Sequence, residues 1–391
     1  MEAKKIFRRY SRGYDLKVLI IQDQMLTKGG SERVFSYLAD IFPEADLFTV
    51  AYNKKTTIRF KRENDLKTSI FFNKIIKSHK VFKFFFPLLT FYYQFKNFNN
   101  YDMIISSSAT CAKYIRNFSG IHICYCYVPT RAIWEVDNYF PKENFVKFFF
   151  KIFLPVLKKR DLNTSNYINL YIGDSRDCAK RIRKIYKGKT SYAYSPIDYQ
   201  KYSSYFSNKK EEYYLVVSRF DYWKRVDIAV DAFNSNGEKL YIVGSGEAYD
   251  SLKKSAKSNI TFLTDITDDE LGKLYSHAKG VVFTCDIEHG LIPIEANACG
   301  TPVICYGFGG VEDTMINFNG SNQDHATAVF FNEQNELSLN NAIKIFENIN
   351  FNKENIMKNA KRFSIEIFNE NVEKIINSYL KKEKVILNEI K

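Results

Sequence analysis

Two carboxylates and two cations lie in loops, or at the start of a helix, in the second half of the sequence, where charged groups contribute little to packing. Glu288 and Glu295 lie in DIEHGLIPIEANACGTPVICYGFGG, residues 286–310, and Arg219 and Lys224 lie in SRFDYWKRVD. A carboxylate can accept hydrogen bonds from the vicinal hydroxyls of a ribose or another sugar. Two cations in one loop can neutralise a diphosphate as it gains charge on leaving. These residue types predict a site for a phosphorylated, hydroxyl-bearing small molecule.

The same residues also have ordinary structural interpretations. Glu295 follows Pro293, and the pattern PIEANACG predicts that it lies in the first turn of a helix. The helix dipole stabilises a carboxylate there without any ligand. Arg219 and Lys224 would equally suit a solvated basic loop. The motifs taken singly therefore leave both interpretations open.

Glycine-rich turns follow several predicted strands. In TKGGS, residues 27–31, Gly29 and Gly30 would let a phosphate approach backbone N–H groups at the positive end of the next helix. A tight strand-to-helix turn also needs glycine for its own geometry. Gly244 and Gly246 in GSGE form a second such turn, which we expect near a phosphate or a base.

Alternating strand and helix patterns must position these turns, and they predict a parallel α/β sheet in each half of the chain. In open α/β sheets ligands bind outside the carboxyl ends of strands, which is where the glycine-rich turns lie. The pattern restarts after a polar stretch. We expect two Rossmann-like domains, a linker and an amphipathic C-terminal helix, with boundaries at 1–195, 196–212, 213–370 and 371–391.

Composition and charge narrow the class of protein. The chain has 391 residues, of which 45% are hydrophobic and 26% charged, so it is globular and long enough for two cores. The net charge of +13 predicts anionic partners. Lysines alternate with aromatics at 66–101 and 144–160. These segments suit core-facing amphipathic helices or docking on an anionic bilayer. No RNP, KH, zinc-finger or helix-turn-helix signature supports nucleic-acid binding.

The sequence also indicates a compartment. The seven cysteines have no disulfide or zinc spacing, so we expect reduced, buried thiols. No stretch approaches the roughly 18 apolar residues of a membrane-spanning helix. Both observations favour a cytoplasmic protein.

Eight motifs in order resemble the GT-B glycosyltransferases of family 4, and most nearly the mannosyltransferases of bacterial O-antigen and capsule assembly. The resemblance runs from about residue 17 to about residue 370. The motifs are GGSERV, YDMIISSSATCAK, HICYCYVPTRAIWE, GDSRDCAKRI, SRFDYWKRVDIAVDAF, GSGE, DIEHGLIPIEANACGTPVI and GFGGVEDT.

The resemblance implies two domains facing each other across a cleft, with the acceptor on the first and the nucleotide sugar on the second. It implies transfer with retention, without a metal or other cofactor. Residues matching Arg219 and Lys224 bind the diphosphate in the family, the residue matching Glu295 holds the ribose, and glycines matching Gly29 and Gly30 face the phosphates. The C-terminal helix is expected to pack back onto the first domain.

The resemblance also bears on the reaction and on the rest of the donor site. The leaving phosphate oxygen would take the acceptor proton while the sugar is attacked on the same face. The remaining donor contacts would come from the two turns that carry Gly244, Gly246, His289, Gly290, Leu291 and Ile292.

Two positions depart from the family pattern. The pattern has a glutamate where this chain has Ile287, so Glu288 or Asp286 would have to substitute for it. The pattern has a histidine near the reacting sugar where this chain has Tyr127. A tyrosine can donate a hydrogen bond but is no comparable base at neutral pH. The candidate catalytic residues are therefore Arg219, Lys224, Glu288 and Tyr127.

The sequence thus predicts a retaining hexosyltransferase. Its donor would be a GDP- or UDP-linked sugar, for which the resemblance suggests GDP-mannose, and its acceptor a lipid-linked glycan of a bacterial surface polysaccharide. The protein would attach peripherally to the inner face of the cell membrane, at an anionic surface. The alternative is a catalytically altered GT-B protein that binds or scaffolds within a polysaccharide assembly complex.

Overall fold

The chain forms two compact units in a computed structural model that describes residues 16–139, 145–287 and 289–389. The first unit contains the chain up to Ser195 and again from Phe368, and the second contains Pro196–Ile367. The candidate residue Glu288 lies outside the described residues.

A parallel sheet forms the centre of the first unit, with its described strands in the order β3-β2-β1-β4-β5-β6-β7. The strands are β1 (Val18–Gln22), β2 (Asp46–Thr49), β3 (Leu66–Thr68), β4 (Met103–Ser108), β5 (Ile121–Cys126), β6 (Leu170–Gly173) and β7 (Thr190–Tyr192). The helices are α1 (Gly30–Ile41), α2 (Ile70–Ile75), α3 (His79–Phe95), α4 (Arg131–Trp134), α5 (Val136–Tyr139), α6 (Phe145–Ser165) and α7 (Arg176–Tyr186).

The second unit repeats this plan with described strands in the order β10-β9-β8-β11-β12-β13, all parallel. The strands are β8 (Tyr214–Val217), β9 (Leu240–Val243), β10 (Ile260–Leu263), β11 (Gly280–Phe283), β12 (Val303–Tyr306) and β13 (Ala328–Phe331). The helices are α8 (Tyr199–Ser203), α9 (Val226–Asn236), α10 (Tyr249–Ser255), α11 (Asp268–His277), α12 (Leu291–Ala298), α13 (Val311–Thr314), α14 (Glu336–Glu347) and α15 (Lys353–Lys361). The last helix, α16 (Ile365–Glu389), begins in this unit and belongs to the first unit from Phe368 onward.

Alternation along the strands gives each sheet two apolar faces. On β1, Ile20 packs into the core layer that contains Val34 and Leu38 of α1. Its neighbours Leu19 and Ile21 pack into the opposite layer. A strand buried on both faces is the expected pattern for a parallel sheet covered by helices on either side. The predicted α/β architecture is confirmed.

The chain beyond Phe368 packs in the first unit. Phe368, Val372, Ile376 and Tyr379 lie at helical spacing on α16 and belong to the same core layer as α1. The ring of Phe368 lies edge-on to that of Tyr125, with centroids 5.8 Å apart. This part of α16 is held by apolar contacts.

The stretch 196–212, which we expected to be a linker, lies within the second unit. Tyr202 of α8 is buried, and the Lys210 ammonium donates hydrogen bonds to the Ser276 carbonyl and the Thr301 hydroxyl at 2.7 and 2.6 Å. Burial lowers the pKa of Lys210 to about 8. This segment is therefore packed within the second unit in spite of its polar composition.

The seven cysteines are buried free thiols, as expected. Within the described residues, no helix combines the length and the apolar character needed to cross a membrane.

Candidate functional site

The chain adds strands of the second sheet outward in one direction from β8 and in the other direction from β11. Because β8 and β11 are parallel neighbours, the loops that follow them leave the same edge of the sheet side by side. The strands pair in parallel, with Gly280 opposite Tyr214 and Val281 opposite Leu215. Ligands of doubly wound sheets bind at such a switch point, outside the carboxyl ends of the strands. The β8 loop carries Arg219 and Lys224, and the β11 loop leads into α12.

The structure brings Lys224 against the β11 loop. The Thr284 hydroxyl donates to the Lys224 carbonyl at 3.0 Å, and the Lys224 ammonium lies 3.9 Å from Cys285 Sγ. The ammonium also lies 4.1 Å from the centroid of the Trp223 ring, which favours a cation over its face. The backbone and side chain of Lys224 are therefore both positioned by neighbouring residues.

Arg219 extends from the start of the same loop. Its guanidinium lies 3.1 Å from Asp221 Oδ2, and its side chain is 56% exposed while that of Asp221 is 14% exposed. An ion pair with one exposed partner orients the arginine and leaves its charge accessible from solvent. The chain thus places two cations on the loop after β8, as the sequence predicted.

The GSGE turn after β9 requires glycine at both positions for its own geometry. A Cβ on Gly244 would lie 1.8 Å from the Ser218 carbonyl oxygen, and one on Gly246 would lie 2.6 Å from the Phe220 amide nitrogen. Both glycines also have positive φ, of 144° and 156°. The turn packs backbone against backbone on the β8 loop, and the Phe220 amide donates to the Ser245 carbonyl at 2.9 Å. Gly244 and Gly246 are therefore required for this packing, and their contact with a nucleotide-sugar donor remains a prediction.

Glu295 lies deeper in α12 than expected. The helix begins at Leu291 and has no acidic residue in its first turn, so our prediction of a first-turn glutamate was wrong. Pro293 is the third helical residue rather than the first. Glu295 is 5% exposed and accepts a hydrogen bond from the buried Tyr275 hydroxyl at 3.1 Å. Burial and the neighbouring Glu295 raise the pKa of Tyr275 well above its ordinary value.

Within the described residues, no side chain caps the N-terminus of α12, which follows the β11 loop. Gly290 is the N-cap residue, and a Cβ there would lie 3.1 Å from the Phe283 ring. Backbone N–H groups at an uncapped helix N-terminus can bind an anion. Leu291 and Ile292 are half-buried in its first turn.

Two described residues shortly before Gly290, His289 and Ile287, are held by different contacts. His289 is buried, and its ring lies 6.2 Å from that of Phe363. Ile287 pairs through its backbone with Gly309, and its carbonyl accepts from the Gly310 amide at 2.8 Å. The GFGG turn therefore holds the segment in which the family pattern would have its glutamate.

In the first unit, Asp23 fills the turn after β4. Its carboxylate accepts hydrogen bonds from four successive amides, those of residues 109–112, at 2.7–2.9 Å, and from the Ser108 hydroxyl at 2.9 Å. Backbone N–H groups in such a turn form an anion-binding concavity, which this chain occupies with its own carboxylate. We did not predict this role. The sequence signal is an aspartate directly after the buried β1 strand.

Glu32 plays a related part at the start of α1. It is buried and accepts from the Gln24 amide and the Thr27 and Ser31 hydroxyls at 2.8, 2.6 and 2.8 Å. Burial raises its pKa, although these hydrogen bonds oppose the shift. A Cβ on Gly29, the N-cap residue, would lie 2.5 Å from Glu32 Oε2. Gly29 therefore makes room for Glu32, and Gly30 opens the helix.

Tyr127 joins the same turn. Its hydroxyl lies 2.7 Å from Ser107 Oγ and donates to the Ser31 carbonyl at 3.1 Å. Burial raises the pKa of Tyr127 well above its ordinary value, against the Ser107 contact, which lowers it. The structure therefore brings Tyr127 together with the Gly29–Gly30 turn, as a neutral hydrogen-bonding group.

The residues that the structure describes contain no candidate metal site. Across 16–139, 145–287 and 289–389, no group of three or more His, Cys, Asp or Glu side chains is arranged to hold an ion.

Comparisons with known proteins agree with this architecture. Residues 200–363 match the family model described as Glycosyl transferases group 1. The chain is 22% identical to the alpha-1,3/1,6-mannosyltransferase ALG2 of Saccharomyces cerevisiae, over 72% of this chain and 67% of that protein. It is 22% identical to the O-antigen chain mannosyltransferase RfbU of Salmonella typhimurium, over 56% of this chain and 61% of that protein.

A shorter match and a solved structure complete the comparison. ALG2 of Candida albicans is 36% identical over 18% of this chain, a stretch that spans only 16% of that protein. The crystal structure of Anabaena HepE in complex with UDP superposes with a TM-score of 0.65 and 17% identity, covering 93% of this chain and 100% of that chain. With two Rossmann-like sheets and this superposition, the chain has the GT-B fold, and its residues 200–363 match the group 1 glycosyl transferases.

Proposed function

We propose that this protein is a retaining glycosyltransferase that moves a hexose from a nucleotide sugar to a lipid-linked glycan. The observation that carries the proposal is the meeting of the β8 and β11 loops, where Lys224 contacts Cys285 in the segment that leads into α12. We propose that the two cations and the backbone N–H groups at the start of α12 bind a diphosphate together.

The chain's own residues would supply electrostatic stabilisation during transfer. Arg219 and Lys224 would bind the diphosphate and stabilise the charge that it gains as the glycosidic bond breaks. Glu295, oriented by Tyr275, would accept hydrogen bonds from the ribose hydroxyls. The departing phosphate oxygen would take the proton of the attacking hydroxyl. We propose that the two cations replace the divalent metal that other glycosyltransferases use.

The substrates are inferred from relatives. ALG2 and RfbU are named as mannosyltransferases, which supports mannose as the hexose, and HepE was solved with UDP, which keeps a UDP-linked donor open. RfbU acts on an O-antigen chain by its name. We therefore propose an acceptor in bacterial surface polysaccharide synthesis, reached by peripheral attachment at the cytoplasmic face of the membrane.

The test is transfer by the full chain. The protein would be incubated with GDP-mannose, UDP-glucose or UDP-galactose and a polyprenyl-diphosphate-linked sugar, and the products analysed by mass spectrometry. We expect one donor to extend the acceptor by one hexose, with the donor's anomeric configuration retained by NMR. Transfer with inversion would contradict the retaining mechanism.

A second candidate, a binding or scaffolding subunit, is favoured by Ile287, which puts an alkyl side chain where the family pattern has a carboxylate. Nucleotide binding without turnover of any donor, with acceptors that a related active enzyme does extend, would select this alternative.

A further inference from the structure

Helix α3 carries two apolar stripes instead of one. Phe82, Phe86, Leu89 and Tyr93 face the core. Another stripe is exposed and consists of Phe84, Leu88, Phe91 and Phe95, at 80%, 50%, 44% and 70% exposure. Residues two positions apart on a helix lie about 200° apart, so the stripes are on opposite sides. An ordinary surface helix would have polar residues on the outer side.

Helix α6 repeats this arrangement. Phe150, Leu154 and Leu157 pack against the same core layer as α3. Phe148, Ile152 and Val156 lie four residues apart on the outer side and are 61%, 54% and 60% exposed. Each helix therefore packs one apolar stripe against the core and exposes a second apolar stripe to solvent.

The two exposed stripes adjoin each other. The Arg160 guanidinium of α6 lies 3.5 Å from the centroid of the Phe91 ring on α3. The same guanidinium donates to the Gln94 side chain at 2.8 Å. This contact joins the helices at the surface, so their outer stripes form one face. We define the aromatic-basic face as Lys80, Phe84, Leu88, Phe91 and Phe95 of α3 with Phe148, Ile152, Val156 and Lys159 of α6.

The two segments that carry this face contain charged side chains of one sign. The segments 66–101 and 144–160 contain no aspartate or glutamate. Lys80 and Lys159 continue the two exposed stripes at helical spacing and are themselves exposed. Lys147 and Lys151 pair with Asp137 at 3.0 Å, and neither lysine is part of the aromatic-basic face. Apolar side chains flanked by lysines match the interface of an anionic bilayer, which takes the rings into its acyl boundary and the ammonium groups at its phosphates.

We infer that the aromatic-basic face is the surface by which the first unit docks on an anionic membrane. It rests on the proposed function in that a lipid-linked acceptor requires a protein at the bilayer. The inference assigns that contact to α3 and α6, with hydrophobic insertion by the outer stripes and electrostatic attraction by lysines.

The test is flotation of the full chain with vesicles of phosphatidylcholine containing phosphatidylglycerol, and with pure phosphatidylcholine. We expect flotation with the anionic vesicles and a much smaller bound fraction with the neutral ones. The variant F84S/L88S should bind about 100-fold more weakly, because two apolar side chains are lost from the contact. The variant K80E/K159E should lose about tenfold, and added salt should reduce that difference.

A matched control is L337S/I345S, which removes exposed apolar side chains from α14 in the second unit, at 70% and 48% exposure. It should float like the wild type. Wild-type protein that stays at the bottom with anionic vesicles, or F84S/L88S that floats like the wild type, would overturn the inference. So would sedimentation showing a dimer that F84S/L88S dissociates, because a second copy would then cover the face.

Nucleotide affinity, measured by calorimetry on the same samples, separates the two proposals. Loss of flotation in F84S/L88S with unchanged GDP or UDP affinity supports the docking face. Flotation by a wild-type protein that binds no nucleotide would also support the face and would count against the proposed transferase.

Discussion

The two units have the same strand order but opposite charge at the switch point. In the first unit, Asp23 and Glu32 direct carboxylates into the turns after β4 and β1, where they accept hydrogen bonds from the chain itself. In the second unit, the turn after β8 carries Arg219 and Lys224. The fold sets where a ligand can lie, and the side chains set which charge it must have.

We propose that this difference separates the binding sites for the two substrates of a transfer reaction. The cationic turn of the second unit suits a diphosphate. In the first unit, a phosphate at the Gly29–Gly30 turn would meet the buried Glu32 carboxylate, whereas an acceptor hydroxyl could donate to it. We therefore propose that the first unit binds acceptor hydroxyls.

The largest expected effect comes from the glycines of the two turns. Gly244→Ala places a Cβ 1.8 Å from a backbone oxygen at a φ of 144°, and should destabilise the second unit by roughly 3 kcal/mol or more. Gly29→Ala has a φ of −96° and meets a side-chain oxygen, so about 1 kcal/mol is expected. Urea unfolding measures both, and equal losses would contradict this comparison.

Asp23→Asn should destabilise the first unit by about 2–4 kcal/mol, because an amide cannot accept from four backbone N–H groups as a carboxylate does. The control Asp102→Asn changes a more exposed aspartate that accepts from the Lys17 amide at 2.8 Å, and should cost under about 1 kcal/mol. Nucleotide affinity should be unchanged in both variants. A large loss of affinity in Asp23→Asn would mean that the two units are not chemically separate.

Tyr127→Phe should have a smaller effect, about 1 kcal/mol in stability and less than tenfold in turnover, because it removes hydrogen bonds to Ser107 and Ser31. Burial raises the pKa of Tyr127, so the hydroxyl stays protonated from acid to neutral pH. The pH–rate profile should therefore keep its shape in the variant. A loss of roughly 100-fold or more, with a missing acidic limb, would identify Tyr127 as a general base.

Sequence patterns were sufficient for the architecture because strand and helix periodicities reflect burial directly. The turn containing Arg219 and Lys224 followed from its place after a strand. The start of α12 did not, because Pro293 is also tolerated within the first helical turn and so marked the start two residues late.

Contacts between distant residues could not be predicted from local pattern. Asp23 reaches amides at 109–112, and Tyr275 reaches Glu295, only once the sheets have formed. The polar composition of 196–212 suggested a solvated linker, but Lys210 donates its hydrogen bonds to acceptors within the second unit rather than to solvent. The lysine- and aromatic-rich helices leave both of our interpretations open, since one stripe packs in the core and another is exposed.

The most direct test of the account is a calorimetric titration of GDP and UDP into the wild type and the variants Arg219→Ala, Lys224→Ala and Lys254→Ala. Lys254 is an exposed lysine of α10 and serves as the control. We predict that one nucleotide binds the wild type and Lys254→Ala equally. Arg219→Ala and Lys224→Ala should each bind about 10–100-fold more weakly, since each loses a charge-assisted contact to the diphosphate. Wild-type affinity in both variants would contradict the assignment of the diphosphate to the β8 loop.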